Sequence, residues 1–224
     1  MAGLRLRFLL EMKEREEIRE TAKCARQLES TGIVLAGGAS RRMGRDKAFL
    51  ELDGRPLIAL VVERMQEVCA EVLIVAGDVR PYAGLGLPLV EDRFHGVGVL
   101  GGLHAGLEAA AHELALAVGC DMPFLNPDLL RAFAGWAEGF DVVMLRRDEY
   151  VEPLHAVYRR TCLPALEAAI RAGQRRIISF FPDVRVRYVT PVEIAPFDEA
   201  LRSFKNVNTP EEWRMVLAGQ GKRS

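Results

Sequence analysis

From residue 31 onward, short apolar runs alternate with stretches of helical spacing, and few folds accommodate that alternation. The first run, Gly32-Ile33-Val34-Leu35-Ala36, reads as a buried strand that stops at Gly37-Gly38. Pro56 then opens a stretch in which Leu57, Leu60, Val61, Met65 and Val68 share a helical face, and Val72 to Ala76 returns to strand. This is one strand–helix–strand unit. The alternation continues with a strand at Leu87 to Val90, a helix around Leu103 to Ala111, a strand at Leu114 to Gly119, a helix after Pro127 and a strand at Asp141 to Leu145. Further expected elements are a strand at Leu154 to Tyr158, a helix at Cys162 to Ala172, a strand at Val184 to Val189, and a C-terminal helix opened by Asn208-Thr209-Pro210-Glu211. Together they predict an α/β chain built on a Rossmann-like, doubly wound, mostly parallel sheet.

Residues 1–29 differ in kind. They are rich in Glu, Arg and Lys, with Ile18, Ala22, Ala25 and Leu28 at helical spacing, and predict a charged N-terminal helical extension ahead of a single domain at 30–224. A peripheral appendage and a partner-docking helix both fit that pattern. With 224 residues, half of them apolar, one large core is affordable. The net charge of -1 argues against nucleic acid as a partner and leaves any anionic ligand to a local cluster of cations and amides. Cys24, Cys69, Cys120 and Cys162 are widely spaced with no C-x-x-C pair, which disfavours both a zinc site and a disulfide framework. Charges from Glu11 to Glu20 interrupt the only leader-like run, and no stretch approaches the ~20 apolar residues of a membrane span, so a cytoplasmic protein is expected.

The stretch from Leu35 to Lys47 carries the chemistry. Small residues from Ala36 to Ser40 let backbone N–H groups approach anionic oxygens, and Arg41, Arg42 and Lys47 add positive charge shortly after a strand end. It is not a Walker loop, because Lys47 does not follow a glycine and precedes neither Ser nor Thr. Asp121 stands where the apolar run Leu114 to Gly119 ends in a turn at Pro123, which places a carboxylate at the carboxyl edge of a central strand. One such carboxylate suits Mg²⁺, which takes the rest of its shell from water and phosphates. Capping a following helix is the alternative role. Gly96 to Gly102 holds four glycines in seven positions before a helix and lets backbone press against a flat or charged ligand.

The pattern L-A-G-G-x-S-x-R-M-G-x-D-K, at Leu35 to Lys47, resembles the signature of the molybdenum cofactor guanylyltransferase family. Val90-Glu91-Asp92, Gly98 to Leu103, Cys120-Asp121-Met122-Pro123, Gln174-Arg175-Arg176 and Phe204 to Glu211 extend the resemblance over residues 31 to 212. It implies the fold of the nucleotide-diphospho-sugar transferases and the transfer of GMP from GTP to molybdopterin, with release of pyrophosphate. It further implies that Leu35, Ala36, Gly37, Gly38, Lys47, Asp92, Gly101 and Asp121 bind nucleotide, that Asp121 holds Mg²⁺, and that Lys47, Arg41, Arg42 and Asp121 are catalytic. Arg175, Arg176, Asn206 and Asn208 are its candidates for the acceptor, with a molybdenum-insertion protein and molybdoenzyme chaperones as candidate partners. Asn208 could equally cap the C-terminal helix, and Asp92 could be a turn residue. Where the family often has an asparagine on the nucleotide, at the end of the second strand, this chain has Val75. A cytidylyl analogue, a sugar-phosphate nucleotidyltransferase and a non-catalytic nucleotide-binding protein remain as alternatives. His95, His104, His112 and His155 lack ligand spacing and read as surface or packing residues. Cys120 reads as a small buried residue.

Overall fold

The computed structural model describes residues 27–36, 47–52, 54–94, 96–207 and 212. The extension before residue 27, the loop at 37–46 with Gly37, Gly38, Arg41 and Arg42, and Asn208 with the helix expected after it lie outside the described residues.

A seven-stranded sheet has the order β5-β4-β1-β6-β8-β7-β9. Its strands are β1 (Leu28–Leu35), β4 (Cys69–Ala76), β5 (Leu89–Glu91), β6 (Leu114–Gly119), β7 (Val142–Arg147), β8 (Tyr150–Arg159) and β9 (Val186–Val189). A two-stranded ribbon, β2 (Glu51–Leu52) with β3 (Arg55–Pro56), stands apart from it. Only β8 runs against the others, being antiparallel to both β6 and β7. β1 begins at Leu28, inside the stretch expected to be a charged extension, because Leu28 pairs with Cys69 and its amide donates to the Val68 carbonyl at 2.7 Å.

The sheet is covered on both faces. Along β1, Ile33 points into one apolar layer and Val34 into the other, and both are fully buried. The Val34 layer is filled by α1 (Leu57–Gln66), α3 (Pro127–Gly135) and α5 (Pro191–Asp198). The Ile33 layer is filled by α2 (Val99–Ala109) and α4 (Leu163–Arg171). α5 announces itself by a capping box, Thr190 with Glu193, rather than by an apolar stripe, since Ile194 is its one buried residue. No helix among the described residues is long and apolar enough to cross a membrane.

α2 lies so close to β1 and β4 that it tolerates little side chain beneath it. A Cβ on Gly106 would fall 2.7 Å from Ile33 Cγ2 and 3.0 Å from Ile33 Cδ1. Gly106→Ala gains ~1 kcal/mol of helix propensity and loses ~1–3 kcal/mol to overpacking, so a net destabilisation of about 1 kcal/mol is expected. The midpoint of denaturant unfolding measures it, and an unchanged or higher midpoint would show that the α2–β1 contact is slack.

Candidate active site

The carboxyl ends of β1, β4, β5 and β6 and the start of the antiparallel β8 meet at one edge, where ligands of open α/β sheets gather. β1 and β6 are tied there by the Cys120 amide, which donates to the Leu35 carbonyl at 3.1 Å, while the Ala36 amide donates to the Val75 carbonyl at 2.8 Å. Ala36, the last described residue before the phosphate-loop candidate, is therefore held between β4 and β6.

Lys47 opens a short 3-10 turn, Lys47–Phe49, whose next residues anchor it. Ala48 is fully buried, and Phe49 stacks on Tyr82 with ring centroids 5.5 Å apart. So held, Lys47 Nζ comes within 3.6 Å of Asp121 Oδ2, with both side chains about one-fifth exposed. The two residues are 74 apart in sequence, and the fold brings them together. Asp121 does not cap a helix. That role belongs to Asn126, whose side chain accepts from the Asp128 amide at 2.9 Å.

Close approach over a glycine seats the Asp121 carboxylate: a Cβ on Gly119 would lie 2.7 Å from Asp121 Oδ1. Burial pushes this carboxyl above the usual carboxylate range, the Lys47 ammonium pulls it back, and the charge of Glu212 raises it further. In the unliganded protein the ionised carboxylate is therefore costly, and an added cation would relieve that cost.

Asp92 follows β5 and is also seated over a glycine. Its Oδ1 accepts from the Phe94 amide at 2.8 Å, and a Cβ on Gly101 would lie 2.8 Å from the same oxygen. The carboxylate thus makes an Asx turn and packs against the first turn of α2. That helix starts from Gly98 at φ 70° with no side-chain cap, so its leading amides face the edge without competition from a capping side chain. Val75 is 1% exposed and packs into the Ile33 layer below Gly102 and Gly106, so its side chain does not face this edge.

Residues 32–186 match the family of MobA-like NTP transferase domains. A protein of Pelotomaculum thermopropionicum named "Probable molybdenum cofactor guanylyltransferase" is 42% identical over 185 residues, covering 83% of this chain and 90% of its own. The molybdenum cofactor guanylyltransferase of Desulfosudis oleivorans is 41% identical, over 81% of this chain and 91% of its own. The chain belongs to the molybdenum cofactor guanylyltransferase family. The crystal structure of molybdopterin-guanine dinucleotide biosynthesis protein A from Archaeoglobus fulgidus superposes with a TM-score of 0.75 at 30% identity, over 86% of this chain and 99% of that one. A Thermus thermophilus 2-C-methyl-D-erythritol 4-phosphate cytidylyltransferase, at 20% identity and a TM-score of 0.63 over 85% of this chain and 98% of that one, shares the fold alone.

The acceptor candidates of this guanylyltransferase family member separate in space. Asn206 belongs to the segment joined to the site by the Val207 amide, which donates to the Asp121 carbonyl at 3.0 Å. Its Oδ1 is buried without a hydrogen-bond partner among the described residues. Arg175 and Arg176 are exposed in the turn after α4, and no described contact links either side chain to Asp121 or Lys47. A cavity of about 340 Å³ beyond the Pro123 turn is lined by Arg64, Phe124, Asn126, Asp198, Arg202 and Ser203. Its two arginines are already engaged, Arg64 by Glu67 at 2.6 Å and Arg202 over the Phe124 ring.

Sequence reasoning passed over Tyr150 and Glu152. Antiparallel pairing sets Val118 opposite His155, and the segments just past that pair carry Asp121 and Glu152, near enough for the Asp121 charge to act on Glu152. Glu152 is 4% exposed, and burial pushes its carboxyl up, Tyr150 and the Leu154 amide lower it by hydrogen bonding, and the Asp121 charge raises it again. Glu152 precedes the strand expected at Leu154 to Tyr158, and only the longer observed strand, Tyr150–Arg159, brings it into the sheet. His155 and Cys120 are buried, as expected of packing residues.

Proposed function

We propose that the chain transfers GMP from GTP to molybdopterin, forming molybdopterin guanine dinucleotide and pyrophosphate, with Mg²⁺ held by Asp121. The observation that carries this reading is the Lys47–Asp121 pair at 3.6 Å, one residue ending the phosphate-loop candidate and the other ending the central strand. A half-buried carboxylate whose ionised form is unfavourable fits a cation that asks one or two oxygens of the protein and takes the others from phosphates. When bound, the ion supplies charge neutralisation where the triphosphate and the attacking phosphate meet.

The residues of the chain do the rest. The loop after Leu35 and Ala36, with Gly37 and Gly38, cradles the triphosphate through backbone amides, and Lys47 with Arg41 and Arg42 offsets charge shared by nucleophile and leaving pyrophosphate. Asp92, Gly101 and the first turn of α2 form the nucleoside wall, and Asn206 with Asn208 contacts the acceptor. Arg175 and Arg176 offer exposed guanidinium groups to the acceptor's phosphate. The acceptor phosphate is ionised near neutral pH, so no general base is required.

The test incubates the protein with molybdenum-loaded molybdopterin, Mg²⁺ and either GTP or CTP, and identifies the product by mass spectrometry. Guanine dinucleotide and pyrophosphate from GTP are expected. A cytosine dinucleotide would reassign the base, and no product from either would remove molybdopterin as the acceptor.

A further inference from the structure

Glu152 raises a question of cost. A carboxylate 4% exposed and close enough to feel the Asp121 charge should be a liability unless something holds it there. Two donors do: the Tyr150 hydroxyl at 2.6 Å and the Leu154 amide at 3.1 Å. The bond to Tyr150 has an unusual distribution of exposure, with the acceptor buried and the phenol that donates to it 53% exposed. Burial and the Glu152 carboxylate push that phenol up to about 12, so its hydroxyl stays protonated and keeps donating across the working range of pH. A deep, fixed acid thus holds an exposed flat ring in one orientation at the start of β8.

Tyr150 lies on the far side of β6 from Asp92 and the first turn of α2. α2 packs on β1, β4 and β5, whereas Tyr150 begins β8 on the opposite flank of β6. In an in-line displacement the nucleophile attacks opposite the leaving pyrophosphate, so the acceptor enters from the flank that the nucleotide leaves open. Arg147 stands opposite Tyr150 in the β7–β8 register, and its charge acts on the phenol. An exposed aromatic face beside an exposed guanidinium suits a flat, electron-rich heterocycle that carries negative charge.

We propose that Tyr150 is the stacking face for the acceptor's fused heteroaromatic ring, and that Glu152 is the positioning residue that fixes the ring of Tyr150 through the bond to its hydroxyl. The proposal rests on the guanylyl-transfer reading, and it adds a subsite that the nucleotide does not touch.

Steady-state kinetics with the acceptor and GTP varied separately test it. Tyr150→Ala should raise KM for molybdopterin by about 5- to 150-fold, the span that one ring-on-aromatic stack carries, with KM for GTP changed by no more than about twofold. Tyr150→Phe and Tyr150→Trp, which keep an aromatic face and lose the tether, should both fall between Ala and wild type. Glu152→Gln keeps an oxygen for the phenol and should stay close to wild type, while Glu152→Ala should reproduce Tyr150→Phe. Binding of 6-hydroxymethylpterin, followed by its own fluorescence without GTP, should weaken in Tyr150→Ala in parallel. If wild type turns over and Tyr150→Ala leaves acceptor KM and pterin binding unchanged, the stacking face is refuted while guanylyl transfer stands. If wild type makes no product from molybdopterin, the functional reading fails and this subsite with it.

Discussion

Replacing Asp121 with asparagine lowers turnover by about 10²–10³-fold or more, the scale of losing one preorganised charge at a transferring phosphoryl group, and leaves the fold at least as stable as before. Both halves of that expectation come from the same geometry. The carboxylate meets Lys47 at 3.6 Å and sits over Gly119, so an amide of the same shape fits without rearrangement. Its carboxyl is raised chiefly by burial, which means that the ionised form at neutral pH is disfavoured in the unliganded protein relative to the unfolded chain. Removing the charge removes that penalty, and Lys47, itself one-fifth exposed, can turn to water. A melting temperature equal to or above that of wild type, together with collapsed turnover, is the expected pair of results. Turnover within about threefold of wild type would remove Asp121 from the chemistry.

Acidification from pH 6.5 towards pH 4 removes up to about 3 kcal/mol of stability through His155 alone. The ring is fully buried, 4.4 Å from the Phe204 centroid and 5.3 Å from that of Phe133, and neither ring nitrogen has a hydrogen-bond partner among the described residues. Burial drives its pKa down to about 4, against weaker opposing pulls from its own backbone and from Asp198. The sign follows directly. Between the ordinary value and about 4 the unfolded chain binds a proton that the folded ring refuses, so stability rises with pH across that window and is flat above it. Urea unfolding at a series of pH values, wild type beside His155→Phe, isolates this component. Asp141, held low by Arg185, loses its contribution only at more acid pH. If wild type and His155→Phe share the same slope between pH 4 and 6.5, His155 is not the neutral buried group described.

The site was legible in proportion to how local its signals are. Apolar runs punctuated by Gly and Pro located β1, α1, β4 and β6, because periodicity reports which faces of an element are buried, and that placed Lys47 and Asp121 at strand ends on the same edge. The direction of β8 was not legible. Period-two alternation is the same for a strand running either way, and only the two residues Asp148 and Glu149 between β7 and β8, too few for a crossover, decide it. That reversal brings the start of β8, with Tyr150 and Glu152, beside Asp121 instead of at the opposite end of the sheet. Val75 shows the same limit: which face a strand residue occupies turns on a one-residue register, and the tertiary pairing turned this side chain under α2.

By itself the sequence determined the alternating α/β order and the placing of a glycine-rich, cationic segment after β1 and a carboxylate after β6, since each depends on residues adjacent in the chain. Only the tertiary structure decided which charges meet, which acid is buried under an exposed ring and which histidine lies dry between two phenylalanines, because those follow from contacts between segments that no local pattern relates.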